Sequence, residues 1–287
     1  MSELAKQEEL NELLREDPGN RGVADLEHSP DLSTIAKVWS EKKRILVISG
    51  FCFQETQTPE TDGILGCLSL AEGFYQLGAD VFFSVDPVCR DVFEDAGILP
   101  LLVLPLEDQG KEERLVSYEA LLDQTHPDGV IFLEHPGSAS DGKFYNVHGI
   151  ALEPSPAPLE EILLAAKKRD ISTLAFGDGG NEAGVGVLSK RDLEKLLKAP
   201  ERASCSKADQ VIMAGISDWG VFVFLTALSL ACDKNLLPEE NWLEAWLDNA
   251  LEAGAVDGIT GESRMTTDGI SIDETVNFLA RCKAKLD

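Results

Sequence analysis

Ile171-Ser172-Thr173-Leu174-Ala175-Phe176-Gly177-Asp178-Gly179-Gly180-Asn181-Glu182 joins an apolar run to a loop of glycines, two acids and an amide. The run Ile171 to Phe176 predicts a buried strand. Asp178 then falls just past that strand's carboxyl end, where open α/β sheets bind ligands. Gly179 and Gly180 permit φ > 0 and close approach of the backbone to a ligand. Asn181 and Glu182 suit the start of a following helix, where the macrodipole favours a carboxylate. Taken alone, the segment also reads as a tight strand-to-helix turn, with Asn181 as its cap and Glu182 as a solvated charge.

Two further segments share the pattern. Thr58-Pro59-Glu60-Thr61-Asp62-Gly63 follows the apolar Arg44 to Gly50, and Leu133-Glu134-His135-Pro136-Gly137 follows Gly129 to Phe132. If these strands are parallel neighbours, Glu60 or Asp62, Glu134, and Asp178 or Glu182 converge on one crevice. Carboxylates so placed cannot all stay ionised unless water, a cation or a cationic substrate screens them. Mn²⁺ or Mg²⁺, hard ions that take oxygen ligands, are the simplest resolution.

Strand candidates are Ile45 to Ser49, Asp80 to Ser84, Leu101 to Leu104, Gly129 to Leu133, Ser172 to Phe176 and Gln210 to Ala214. Helix candidates between and after them are Gly66 to Leu77, Pro87 to Ala96, Ser117 to Thr125, Pro158 to Arg169, Lys190 to Leu197, Gly220 to Cys232, Glu239 to Ala253 and Ile272 to Lys285. Ser271 and Glu274 have the spacing of a capping box for the last. The alternation predicts a Rossmann-like α/β three-layer sandwich, a largely parallel sheet with helices on both faces. The expectation is a single α/β domain over residues 1–287, with residues 1–40 a helical segment. There Met1 to Arg15 forms an amphipathic helix striped by Leu4, Leu10, Leu13 and Leu14.

Together the loops resemble the D-glutamate cyclase family, whose members share a Gly-Asp-Gly-Gly-Asn-Glu loop and an upstream Pro-Glu-Thr-Asp-Gly. The resemblance spans most of the chain. It begins at Asp17-Pro18-Gly19-Asn20-Arg21-Gly22 and continues through Ser49-Gly50-Phe51, Glu134-His135-Pro136-Gly137 and Asp141-Gly142-Lys143-Phe144-Tyr145-Asn146. It ends with Gly215-Ile216-Ser217-Asp218-Trp219-Gly220, Gly254 to Gly261 and Asp268-Gly269. Ile64-Leu65-Gly66-Cys67 stands where the family often reads Pro-Pro-Gly-Ala, and Gly184-Val185-Gly186 replaces Gly-Met-Gly. Both changes alter apolar lining and leave the acids intact. The resemblance implies conversion of D-glutamate to 5-oxo-D-proline and water. Related stand-alone domains look like metal-dependent hydrolases with an acidic cavity.

Lys plus Arg at 25 against Asp plus Glu at 51 gives a formal charge of −26, which repels nucleic-acid phosphates and anionic membrane surfaces. Neither is an expected partner; a small acidic amino acid is, and a homo-oligomer is compatible. An anionic substrate needs a local cation, for which Arg21 and Lys143 are the candidates. The apolar stretch around Val221 to Ala231 is too short to span a bilayer, and the Glu-rich amino terminus resembles neither a secretory nor a transit peptide, so a cytoplasmic home is expected. Cys52, Cys67, Cys89, Cys205, Cys232 and Cys282 lack a Cys-x-x-Cys pair and read as reduced thiols. No P-loop and no Gly-x-Gly-x-x-Gly follows a strand, which disfavours ATP and NAD.

Cyclisation requires a base for the α-ammonium and a stabiliser for the γ-carboxylate's developing oxyanion. The expected set has Asp62, Asp178 and Glu182 holding a divalent ion, Glu60 or Glu134 as base, and Asn181 donating to the oxyanion. Arg21, Lys143 and Asn146 contact substrate, and Asp257 and Asp268 close the site or complete the metal shell. His135 and His148 read first as structural, and Trp39, Trp219, Trp242 and Trp246 as packing. Two alternatives use the same acids: a metal-dependent phosphatase, and an amino-acid-binding protein without turnover.

Overall fold

The computed structural model describes residues 3–104 and 110–286, with side chains from residue 5 onward. In chain order the elements are α1 (Glu3–Leu14), α2 (Leu32–Ser40), β1 (Arg44–Ser49), β2 (Cys52–Phe53), β3 (Thr58–Pro59), α3 (Ile64–Gln76), β4 (Asp80–Val85), α4 (Arg90–Asp95), α5 (Lys111–Thr125) and β5 (Gly129–Leu133). There follow α6 (Ile162–Lys168), β6 (Ser172–Gly177), α7 (Lys190–Leu196), β7 (Gln210–Met213), α8 (Ser217–Cys232), α9 (Glu240–Glu252), β8 (Thr266–Thr267), β9 (Ile270–Ser271) and α10 (Ile272–Lys283).

Five strands pair in the order β4-β1-β5-β6-β7, all parallel. The chain winds outward from β1 to β4, then returns to the other side of β1 for β5, β6 and β7. Winding therefore reverses between β1 and β5, and such a reversal opens a crevice at the strands' carboxyl ends. Strand side chains alternate between two cores. Ile45 and Val47 join Phe176 and Ile212 beneath α2, α3 and α8, whereas Leu46 and Ile48 join Val130 and Phe132 beneath α5 and α6. Both faces are covered, the three-layer α/β arrangement that the strand and helix alternation predicts.

All but the last residues of α8 lie inside the first layer: every residue from Ser217 to Ser229 is buried. Phe224 on it meets Phe176 of β6 at 5.7 Å, Phe74 of α3 at 6.3 Å and Trp39 of α2 at 6.4 Å between ring centroids. Trp39 is fully buried and its indole N–H donates to Gln210 Oε1 at 2.8 Å, so it packs as expected. Trp219 stacks on Phe278 at 4.1 Å, and the Ser271–Glu274 capping box forms at α10. Trp242 differs: it pairs with Trp246 but stays 36% exposed.

Leu101 to Leu104 forms no strand. Leu101 makes a single bridge to Phe83 at the β4 edge, and Pro100 and Pro105 bracket the segment with residues that lack an N–H for a ladder. α8 begins at Ser217, three residues ahead of the predicted Gly220, which places Asp218 in its first turn. The predicted stripe on α1 buries Leu10, Leu13 and Leu14; the side chain of Leu4 lies outside the described residues. Among the described residues no helix is long and apolar enough to cross a membrane.

Phe224→Ala should lower folding free energy by about 3–5 kcal/mol, because three aromatic neighbours cannot collapse into the void together. Urea denaturation measures it, with Trp242→Ala as the exposed control that should change stability far less.

Candidate functional site

The acids sit beyond the carboxyl ends of successive strands. Asp62 follows the short β2–β3 hairpin after β1, Glu134 follows β5, Asp178 follows β6, and Asp218 follows β7 at the start of α8. One carboxylate oxygen from each of Asp62, Glu134 and Asp178 lies within 4.8 Å of the others, and all three residues are buried. Four carboxylate oxygens in this region, Oδ2 of Asp62, Asp178, Asp218 and Asp268, are buried without a hydrogen-bond partner. Buried polar atoms are nearly always paired, so four unpaired oxygens in one place single this cluster out as the candidate site.

Arg21 enters this cluster from the amino-terminal segment. Its guanidinium pairs with Asp178 and, at 2.8 Å, with Asp268. The Asp17 carboxylate aims it, accepting the N–H groups of Arg21 at 2.8 Å, Gly22 at 2.7 Å and Val23 at 3.1 Å. Burial opposes the guanidinium's charge, but Asp178, Asp268, Asp62 and Glu134 outweigh it and raise its pKa. A cleft of about 260 Å³ opens above, with Arg21, Glu60, Glu134, Asn146, Asp178 and Asn181 in its wall. Among the described residues, Arg21 is the one Arg or Lys lining it.

Glu182 lines the cleft but is engaged by its own loop. Oε1 accepts the N–H groups of Asp178 at 3.0 Å and Gly179 at 2.6 Å, and Oε2 accepts that of Gly180 at 2.8 Å. No helix starts at Asn181 or Glu182, the next being α7 from Lys190, so these bonds stand where the sequence suits a helix start. A Cβ on Gly177 would stand 2.7 Å from Glu182 Oε2, and Gly180 holds φ 87°, so this return requires both glycines. Glu134 holds φ 43°, unusual for a residue with a side chain, and accepts the Ser217 hydroxyl proton.

The remaining expected residues divide. Asn181 donates Nδ2–H to the Tyr145 carbonyl at 3.0 Å and keeps a second N–H. Asn146 lines the cleft while its Oδ1 accepts from His148 and Ile150. Lys143 is exposed and not among the lining residues. Asp257 is buried outside the lining: Oδ1 accepts from Ile259 and Thr260, and Oδ2 from Thr266 and Gly269, which occupies it with its own turn. His135 Nδ1 lies 2.8 Å from the Pro136 carbonyl, and burial pushes the ring down to about 4 against the pull of Asp86.

Sequence reasoning missed Asp218. Its Oδ1 accepts the N–H groups of Gly63 at 3.1 Å and Gly66 at 2.7 Å, so an acid from α8 caps α3 and fixes Asp62 beside it. The signal was the Gly215-Ile216-Ser217-Asp218 segment, which contains an acid directly after an apolar strand, as the other three loops do.

The sequence profile described as D-glutamate cyclase-like, C-terminal matches residues 10–283. The chain belongs to this family. The human protein named D-glutamate cyclase, mitochondrial, is 30% identical over 237 residues, which cover 77% of this chain and 38% of that protein. The chain thus spans well under half the length of this curated relative. A crystal structure of an exopolyphosphatase-related protein from Bacteroides fragilis aligns with 88% of this chain and 56% of that one, at 11% identity and a TM-score of 0.39. That likeness carries no functional argument.

Electrostatics follow from burial. It pushes the carboxyls of Asp62, Glu134 and Asp178 well above the usual range; neighbouring acids push the same way, and Arg21 pulls Asp178 back. Burial and then Asp268 push Glu60 up to about 8; part of its surface meets the cleft, but the carboxyl lies tight against Gly258. Burial lifts Asp218 to about 7 against the N–H donors of Gly66 and Gly63, and Glu160 to about 7. These groups hold protons in the folded chain at pH values where the unfolded chain has lost them. Stability must therefore fall as pH rises through about 7 to 8, whereas the depressed His135 acts only at lower pH. Urea denaturation of chelator-treated protein should give a lower free energy at about pH 8.5 than at about pH 6.5, and Glu60→Gln should flatten the slope. Equal stability at both pH values would contradict the arrangement.

Proposed function

We propose that the cleft binds D-glutamate and closes it to 5-oxo-D-proline with loss of water. The observation that carries this reading is one guanidinium, Arg21, set among the carboxyl groups of Glu60, Glu134, Asp178 and Asp268 in the wall of the cleft. Glutamate presents both complements, carboxylates for Arg21 and an ammonium for the acids. Two of Arg21's donors are held by Asp178 and Asp268, and the others stay available to a substrate carboxylate. Glu60, pushed up to about 8, takes protons from the α-ammonium in its ionised form, as pH approaches that value, allowing the nitrogen to attack the γ-carbon. Both protons lost by that nitrogen leave with the departing oxygen as water. Asn181, through its second N–H, supports the oxyanion that forms between.

Asp62, Glu134 and Asp178 fit a divalent cation, Mn²⁺ or Mg²⁺, because they bring three oxygens together and two of them carry unpartnered oxygens. When bound, such an ion supplies Lewis acidity toward a carboxylate oxygen. Glu134 replaces Glu182 in this set, since Glu182 is turned to its own backbone. The same three acids also suit hydrolysis of a phosphate monoester, the second reading.

Purified protein given D- or L-glutamate should release 5-oxoproline from the D-enantiomer, and Glu60→Gln should lower kcat by about 100-fold or more with the melting temperature retained. Phosphate release from monoesters with no ring-closed product would establish the phosphatase instead. Ligand binding without any turnover would leave a binding protein.

Thermal melts test the cation separately. Chelator-treated protein should melt higher once Mn²⁺ or Mg²⁺ is added, since an ion that binds only the folded chain stabilises it by mass action. Asp178→Asn should abolish that rise; no rise in the parent protein at millimolar metal removes the cation from the proposal.

A further inference from the structure

The cleft has two ends of different chemistry. Its deep end is charged: Arg21, Asp178, Glu134 and Asp268, each mostly or wholly buried. Nearer the surface the lining sets apolar Phe51, Phe53, Val147 and Ile259 beside Gln54, Glu55 and His148, with Leu152 buried behind them. These side chains are held in place by close contacts. A Cβ on Gly261 would stand 2.5 Å from the Phe53 ring, and one on Gly179 would stand 2.5 Å from Val147 Cγ1, so the rim packs directly on the site's own turns. Ile259, among these lining residues, is 58% exposed, so a ligand that covered it would bury apolar surface.

Glutamate answers only the deep end. It has two methylenes between its charged groups, so its own hydrocarbon is too small to cover Phe51, Phe53 and Ile259. A γ-group that is itself apolar would instead bury surface there, at a gain that grows with each methylene.

We propose that the site accepts D-γ-glutamyl amides of apolar amines, with the glutamyl part in the deep end and the amine's hydrocarbon against Phe51, Phe53 and Ile259. The inference rests on the cyclisation described above and extends its substrate class. The chemistry balances without a further reactant. The α-nitrogen attacks the γ-carbonyl carbon, the bond from that carbon to the amine nitrogen breaks, and both protons shed by the α-nitrogen end on the amine, which departs as its ammonium. An amide carbonyl is a better electrophile than a carboxylate, so the same groups face an easier step.

The test compares three substrates on the full chain, each with a no-enzyme control for spontaneous closure: D-glutamate, its γ-methylamide and its γ-(3-methylbutyl)amide. The two amines have similar basicity, so a difference between them reads the rim. Release of 5-oxoproline should be faster from the methylbutylamide than from the methylamide by about tenfold or more in kcat/KM, the scale of filling an apolar pocket. Phe53→Ala and Ile259→Ser should each lower that ratio; the second alters an exposed residue and leaves the core untouched. Equal rates for the two amides, or closure of D-glutamate with neither amide turned over, would overturn the inference while leaving the glutamate reading intact. Closure of the amides alone would confirm the inference and remove free glutamate as the substrate, and inert behaviour of all three would remove both.

Discussion

Arg21 sets the terms for everything around it. Asp178, Asp268, Asp62 and Glu134 raise its pKa although burial opposes the charge, and it in turn pulls the Asp178 carboxyl back toward ionisation. One guanidinium cannot balance that many acids. Four of the cluster's oxygens remain unpartnered, so the folded chain carries an unsatisfied demand for protons or positive charge at the point where its sheet reverses winding. Buried groups of this kind cost stability unless compensated, and here the compensation is structural. α8 fills one face of the sheet with buried aromatic and aliphatic side chains, and its first turn delivers Ser217 and Asp218 to the acids themselves.

Most of the sheet was legible because its strands are buried on both faces and read as continuous apolar runs. Ile45 to Ser49, Gly129 to Leu133 and Ser172 to Phe176 needed no partner to be recognised. The acids at their ends were legible for the same reason, since a strand's end fixes where the next residue emerges. Leu101 to Leu104 looked similar in composition but is bracketed by prolines, and a single bridge is what the β4 edge allows it.

The division of labour among the acids was not legible. Whether Glu182 faces a ligand or its own backbone depends on the fold of a three-residue return, and the three N–H groups it captures are invisible in a one-dimensional pattern. Asp257 and Asp268 looked alike, each before a glycine. One is absorbed by four donors of its own turn, the other meets a guanidinium. Arg21 meets Asp178 across 157 residues, a separation no local spacing encodes. Asp218 escaped notice because its service is to another helix's amino terminus, which only packing brings near.

The chain's charge of −26 gives a last constraint on how this cleft works. At physiological salt, charges farther than roughly 8 Å are largely screened, so the distant surface acids matter little to a bound ligand and the wall of the cleft decides. That wall sets Glu55, Glu60, Glu134, Asp178, Glu182 and Asp268 around the same cleft as one arginine. An anionic ligand is held only where its negative groups reach Arg21 or a bound cation, and its positive group, if it has one, fills the demand that the orphaned carboxylates create. A zwitterion satisfies both at once, whereas a plain dianion reaches Arg21 alone and leaves the carboxylates' demand to protons or metal. Under the function proposed above, charge selects for amino acids and their derivatives, and shape is left to the apolar side chains of the lining.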